Sequence, residues 1–388
     1  MTERENKVAR VAVAGYFAVL GFVCSAWVSS IDDLKVLLGL DASALGWLLM
    51  MGPCGNLVSF LFASSLFARI GSRRGLVLAV TLYLLAGLGI AASFLLRAPL
   101  PVWCVAIAAL GGCGNLFNIA VNTQGGVVER RLGRSIMNSF HGMFSVMCFA
   151  GGFLALGATA CAIPAGVRVL GSVLLAAVAH LALFFRLPKE DVTAMRKKDG
   201  WHRPDRALAA LGLAALVIMG CEGAISDWVG VFYRESLAAP ATRVKWGFCA
   251  VMGLMTVGRF LSDRLIGRFG ARRILHVYAV FVSCGLTLAL VAPYLPLQGL
   301  ALHLFATTGF AITGLGISAL VPILYSKGNR TTCMPPASAI TFLGSVGFLG
   351  YFVGPPLIGH LADLTSLSLA LGVFAVLILA CLLIDPEV

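Results

Sequence analysis

Twelve times along this chain a continuous apolar run, long enough to cross a bilayer, ends in a short loop that carries charge. A helix needs about 20 apolar residues to span a hydrocarbon core of about 30 Å. The runs fall at 8–30, 42–67, 74–96, 100–128, 136–160, 163–187, 207–233, 244–266, 272–293, 296–325, 334–361 and 365–384. They are too long and too evenly apolar for the alternating segments of about ten residues that build a membrane barrel. The expected fold class is therefore all-α and integral to the membrane, with 12 transmembrane helices. Composition leaves no soluble alternative: 59% of the residues are hydrophobic and 12% charged, against about 25% charged in a soluble domain. The first run follows Arg4, Lys7 and Arg10 and so imitates a signal peptide. It is too long and lacks a small-residue cleavage motif, so it reads as a retained first helix.

The net charge of +12 invites a nucleic-acid reading, but its placement argues for membrane orientation instead. With the N-terminus in the cytoplasm, the inside segments hold 22 of the 29 Lys and Arg, and the outside segments hold 6. Arg259 is left over, inside the eighth run. Cytoplasmic loops of membrane proteins carry such an excess, so both termini are expected in the cytoplasm of a bacterial inner-membrane protein. The 11 cysteines are scattered singly through apolar runs, as small packing residues. No spacing of Cys or His suggests a metal site.

The one long polar stretch, 188–206, divides the chain into an N-terminal six-helix half (1–187) and a C-terminal one (207–388). An internal repeat supports the division. Arg69-Ile70-Gly71-Ser72-Arg73-Arg74-Gly75-Leu76 follows the second run, and Arg268-Phe269-Gly270-Ala271-Arg272-Arg273-Ile274-Leu275 follows the eighth. Repeated halves of parallel topology, with the binding site between them, are a transporter design.

The second copy is fuller: Gly258-Arg259-Phe260-Leu261-Ser262-Asp263-Arg264 precedes Arg268 and Arg272-Arg273. This segment resembles the signature of the major facilitator superfamily, G-x-x-x-D-R-x-G-R-R, which recurs after helices 2 and 8. The resemblance implies two pseudo-symmetric six-helix bundles working by alternating access. It also implies a cytoplasmic gate built from Arg69, Arg73, Arg74, Arg259, Asp263, Arg264, Arg268, Arg272 and Arg273. Arg259 and Asp263 lie four apart on one helix face, where they can pair. The first copy departs from the pattern, with Ala68 in place of the Asp and Ser64 in place of the first Gly. Helices 4–5 (NLFNIAVNTQGGVVERRLGRSIMNSFHGMFS), 7 (EGAISDWVGVFYRES) and 11 (GFLGYFVGPPLIGHLAD) further resemble the YbjJ-like branch, related to sugar permeases of the fucose-permease type. Here too the chain departs: Asn118 stands where that branch tends to carry Asp, and Ser30-Ile31-Asp32 stands where Arg-Ile-Pro follows Trp27.

Several polar residues sit where lipid should exclude them. Asn115, Asn118 and Asn122 form one stripe on helix 4, serving either as interhelical glue or as a hydrogen-bonding wall for a solute. Gly111, Gly112 and Gly114 beside them suit close helix packing. His141, about 9 Å into helix 5, could relay protons or simply pack. Glu222 falls near the middle of helix 7, the costliest depth for a carboxylate. It must face a cavity, be protonated or pair with another helix, and it is the leading proton-coupling candidate. Asp227, nearer the outer surface, either pairs locally or lines the external mouth with Trp228, Tyr233 and Arg234, and Trp27 and Gln124 complete the expected solute contacts. The Gly- and Pro-rich helix 11 could supply a bend. Helix 5 reads FAGGFLALGA without the proline of drug antiporters, which weighs against an exporter.

No Walker A sequence or hydrolase motif occurs. The reading is therefore not an enzyme but a secondary transporter without cofactor or metal, energised by the proton gradient. It is expected to import a small polar solute, a sugar or sugar derivative foremost. A proton-antiport exporter of metabolites or drugs, and a transporter-like sensor or lipid-handling protein, are the alternatives. Its partners are the small-molecule substrate and the lipid bilayer, with no nucleic acid, and it is expected to be a monomer.

Overall fold

A computed structural model describes residues 3–132, 136–187, 203–328, 333 and 336–383. No strand occurs among them. The helices are α1 (Glu3–Val28), α2 (Ile31–Leu38), α3 (Ala42–Leu49), α4 (Met51–Ile70), α5 (Ser72–Leu95), α6 (Leu100–Leu132) and α7 (Met137–Ala160). There follow α8 (Ala165–Phe184), α9 (Arg206–Glu235), α10 (Trp246–Phe269), α11 (Ala271–Val291), α12 (Gly299–Gly328), α13 (Pro336–Leu364) and α14 (Leu367–Leu383). Among the described residues ten spans are long and apolar enough to cross a bilayer, the first built from α1 with α2 and the second from α3 with α4. Two shorter apolar helices, Trp246–Ser262 and Leu367–Leu382, stand where the eighth and twelfth spans were expected. Large apolar side chains lie open on the outside, with Leu61 and Phe185 each 83% exposed. Lipid tolerates such exposure, whereas water would penalise contiguous patches of it.

The first two spans differ from the sequence reading in detail. Ser29 Oγ donates to the Ser25 carbonyl and Ser30 Oγ to that of Ala26, a local competition with the helical ladder that accompanies the end of α1. The next segment, expected as a loop, is the helix α2, with Asp32 and Asp33 in its first turn to complement the helix dipole. Asp33 pairs with Arg168 of α8, which also donates to Thr159 Oγ1 of α7 at 2.7 Å. The second span breaks at Met50.

The helices gather into two compact units. The first holds α1, α2 and α4–α8; the second holds α9–α14 together with α3, although the chain on both sides of α3 belongs to the first. Each unit uses one pairing scheme. In the first, α1 packs on α7 and α8, α4 on α6, and α5 on α6 and α8. In the second, α9 packs on α13 and α14, α10 on α12, and α11 on α12 and α14. The internal repeat thus reaches beyond the loop signature to the whole order of contacts.

The repeated loops also share their backbone. Gly71, between α4 and α5, has φ 82° and ψ 158°; Gly270, between α10 and α11, has φ 85° and ψ 149°. A positive φ at that ψ suits glycine and strains other residues, which accounts for the glycine at the centre of both copies. The proposed linker 188–206 lies outside the described residues up to 202, as do Arg134 and Arg330 of the charged loops. Beyond it, Asp205 caps α9 by accepting from the Leu208 amide at 2.7 Å.

Small residues bring helices into contact. A Cβ on Gly55 or Gly111 would collide with the backbone of the facing helix, α6 or α4 respectively. Gly112 and Gly114 lie in the same packing, against Gly55 and the Tyr83 ring. In the second unit, α3 lies on α13 so closely that a Cβ on Gly46 would strike the Pro355 carbonyl. Asp363 of α13 then accepts from the amides of Ala42 at 3.1 Å and Ser43 at 2.7 Å, while Asp41 accepts from Ala44 at 2.7 Å. Three of the four unpaired amides at the start of α3 are thereby satisfied by carboxylates. Pro355 and Pro356 lie within α13, which runs through them as one helix.

Candidate functional site

In the second unit, polar side chains from four helices meet around the middle of α9. Glu222 points toward α10, where Arg259 Nη2 lies 3.7 Å from its Oε1. Of the three options open to Glu222 in the sequence, the structure takes the pairing with another helix. The two side chains are 25% exposed for Arg259 and 21% for Glu222, so the pair is partly open. Tyr351 of α13 lies over Gly223, where a Cβ would run into its ring, and holds its hydroxyl in hydrogen-bonding reach of Glu222. Tyr325 of α12 also lies within the electrostatic influence of Glu222.

Asp227 is half-buried on α9 and close enough to Tyr351 to interact with it electrostatically. No hydrogen bond or ion pair is made to its carboxylate among the described residues. Its sequence neighbour Trp228 is fully buried, with an indole N–H that has no acceptor among the described residues. Trp228 therefore sits in the core of the unit, away from any surface a solute could touch. Tyr233 is also fully buried, and its hydroxyl lies 2.6 Å from Thr307 Oγ1.

In the first unit, the asparagine stripe divides by role. Asn115 Nδ2 donates to Ser59 Oγ at 2.7 Å and to the Asn56 carbonyl at 3.4 Å, tying α6 to α4. Asn122 Nδ2 donates to Asn118 at 2.7 Å (Oδ1) and 2.8 Å (O), and Asn118 itself is exposed. One end of the stripe is thus interhelical glue, and the other presents amide groups outward. Gln124 is fully buried and donates to Ser72 Oγ at 2.9 Å, so it belongs to the α5–α6 packing. Trp27 is half-buried at the end of α1. His141 is half-buried on α7, edge-on to the Phe17 ring of α1 at 5.1 Å between centroids.

The basic loops carry their arginines outward: Arg69, Arg74, Arg264, Arg268, Arg272 and Arg273 are exposed, and Arg73 is half-buried. Arg268 lies over the Phe269 ring at 5.2 Å. The Asp263 side chain lies outside the described residues. Arg259, grouped with these by motif, faces Glu222 in the helix interior.

Tyr351, Tyr325 and Ser59 are the participants that sequence reasoning missed. An isolated Tyr or Ser in an apolar run gives no signal by itself. The available hint was pairwise: Tyr351 needs a facing glycine, and Gly223 stands next to Glu222. Chemically, the cluster on the second unit offers a balanced carboxylate–guanidinium pair, a second carboxylate and two phenolic hydroxyls. Such a set can hold a proton, and it can give and accept hydrogen bonds with a polar solute.

A family model described as the Major Facilitator Superfamily matches residues 10–334. An uncharacterized MFS-type transporter of Yersinia pestis is 27% identical over 371 residues, covering 94% of this chain and 91% of that one. The membrane protein MosC of Rhizobium meliloti is 28% identical over 380 residues, covering 95% and 88%. Among solved structures, that of the nucleoside transporter NupG superposes with a TM-score of 0.74 at 13% identity, covering 96% of this chain and 98% of its own, which is a likeness of fold.

Proposed function

The chain belongs to the Major Facilitator Superfamily, and from that premise we propose that this MFS transporter takes up a small polar solute in symport with protons. A sugar or sugar derivative is the leading class, in keeping with the likeness of helices 4–5, 7 and 11 to the YbjJ-like, fucose-permease-related branch. The excess of Lys and Arg in alternate loops supports cytoplasmic termini and insertion in a bacterial inner membrane.

The observation that carries the proton-coupled reading is the acidic cluster of the second unit, Glu222 with Arg259 and Asp227 beside Tyr351. Ionisable groups inside a membrane span are costly and mark proton or substrate pathways. Here two carboxylates stand with a single guanidinium, which pairs with Glu222, so the charge of the cluster depends on proton occupancy. The exposed Asn118, with Asn122 behind it, supplies the hydrogen-bonding surface expected of a solute contact. His141 of the first unit is the second candidate for a proton or solute contact.

The test begins with a thermal-shift screen of the purified protein against sugars, amino sugars, nucleosides and organic acids. Solutes that raise the melting temperature are then followed in proteoliposomes under an imposed pH gradient. Accumulation should follow the gradient in the wild type and be lost in Glu222→Gln. Accumulation that ignores the pH gradient in the wild type would sink the coupling assignment, unchanged accumulation in Glu222→Gln would remove the Glu222–Arg259 pair from it, and net efflux without uptake would replace import by export.

A further inference from the structure

Resting on the proton-coupled reading above, we infer that Asp227 is the residue that binds and releases the transported proton, while Glu222 stays ionised as the counter-charge of Arg259. The geometry separates the two carboxylates. Glu222 has a guanidinium 3.7 Å away and a tyrosine hydroxyl in reach. Asp227 has neither an ion pair nor a hydrogen bond among the described residues.

Depth sharpens the contrast. Along α9, which runs from Arg206 to Glu235, Glu222 lies about 2 Å from the helix centre and Asp227 about 10 Å from it, at 1.5 Å per residue. Both fall within a half-core of about 15 Å. A carboxylate there is stable when paired, when solvated through a cavity or when protonated. Pairing describes Glu222. Asp227 is half-buried and has no cation beside it, which leaves water or a proton.

The helices packed against α9 are α10, α12, α13 and α14, and among the described residues none of them forms an ion pair with Asp227. From α13, Tyr351 bears on Asp227; Asp363 is engaged by α3, and His360 is exposed near the end of the helix. From α10, Arg259 is taken by Glu222, and Lys245, fully buried at the N-cap, acts electrostatically on the buried Cys249 thiol. From α12, Tyr325 faces Glu222, Lys327 lies in the last turn, and His303 is held between Arg243 Nη1 at 3.1 Å and the Leu237 carbonyl at 3.2 Å. Cys381 is the one thiol on α14, close to its end. On α9 itself, Cys221 is fully buried, while Arg234 and Glu235 occupy the last turn.

The charge arithmetic then assigns the step. With Asp227 protonated, the cluster is neutral as a whole. A proton from water forms the O–H bond on an Asp227 carboxylate oxygen, and breaking that bond returns the proton to water on the other side. Release leaves one uncompensated negative charge beside Tyr351, so the cluster alternates between neutral and singly negative without disturbing Arg259.

Infrared difference spectroscopy of the full-length protein in liposomes, stepped between alkaline buffer and a mildly acidic one still above the pKa of about 4 of ordinary carboxylates, reads protonated carboxyl groups directly through their C=O stretch. It needs neither solute nor gradient. The wild type should show a carboxyl band in acid that disappears in alkali. The band should vanish in Asp227→Asn, persist in Glu222→Gln and return at a shifted frequency in Asp227→Glu. Melting curves check that each variant is folded, and the Asp227→Glu spectrum decides the matter if Asp227→Asn does not fold. A band that survives in Asp227→Asn, keeps its wild-type frequency in Asp227→Glu, is lost in Glu222→Gln or is missing from the wild type overturns the assignment. A band that follows Asp227 while accumulation ignores the pH gradient leaves the assignment standing and removes the symport reading alone.

Discussion

Arg259 of α10 reaches across to α9 and stands 3.7 Å from Glu222. By motif it belongs to a gate sequence on its own helix. By geometry it is the positive member of a pair in the interior of the second unit. The pair has a measurable signature. Removing one member strands the other, whereas removing both strands neither. Arg259→Gln should lower stability by about 1–3 kcal/mol, between the values for exposed and buried pairs, because both side chains are partly open. The double variant Glu222→Gln/Arg259→Gln should recover part of that loss. Thermal unfolding in detergent checks it, and purely additive effects would show that the two groups do not interact.

The docking of α3 gives a second expectation. Asp363 accepts from the Ala42 and Ser43 amides, and hydrogen bonds to a charged group contribute about 1.5–3 kcal/mol each. Asp363→Ala should therefore loosen α3 more than Asp363→Asn, which keeps one acceptor. A Ser43→Cys reporter placed in each background should react faster with a soluble maleimide in the order Asp363→Ala, Asp363→Asn, wild type. Equal rates would mean that the carboxylate does not hold the segment.

The repeated loops provide a backbone test. Nothing lies within 4 Å of a Cβ built on Gly270, so any cost of a side chain there comes from φ alone. Gly270→Ala should destabilise by about 1–3 kcal/mol. Gly270→Asn should cost as much, since Asn tolerates positive φ mainly at a ψ of about 30–60°, far from the 149° found here. A melting temperature unchanged in Gly270→Ala would remove the conformational explanation for the glycine shared by both copies.

The asparagine stripe should split under mutation as it splits in space. Asn115→Ala loses the bond to Ser59 and should cost about 1 kcal/mol of stability. Asn118→Ala changes an exposed position and should stay within about 0.5 kcal/mol, while lowering affinity for the solute found by thermal shift. Loss of stability in both, with affinity intact, would make the whole stripe structural.

What the sequence disclosed and what it withheld follow from the range of each interaction. Span number and fold class were legible because they depend on how many consecutive residues are apolar, a local property. The repeat was legible for the same reason: Gly71 and Gly270 answer to a local backbone requirement. The partner of Glu222 was not legible, since Arg259 lies on another helix and its own neighbours suggested Asp263. The roles of Asn115 and Asn118 were indistinguishable as well. They share a face and a chemistry, and only the presence of Ser59 opposite one of them tells them apart. Gln124 and Trp228 read as solute contacts because polar and amphipathic residues near a stripe invite that reading; their complete burial depends on helices far away in sequence.

The adoption of α3 by the second unit also has a bearing on biogenesis. Ala42 precedes the carboxylate that accepts its amide by 321 residues. At about 5–20 residues per second, a ribosome needs roughly 15–60 s to bring that carboxylate out. Throughout that interval the nascent first half carries a short helix whose final neighbour has not yet been made. A fragment ending at the central linker would carry the same unmatched helix permanently, so the two halves, alike as they are, cannot be produced as independent modules without leaving one incomplete.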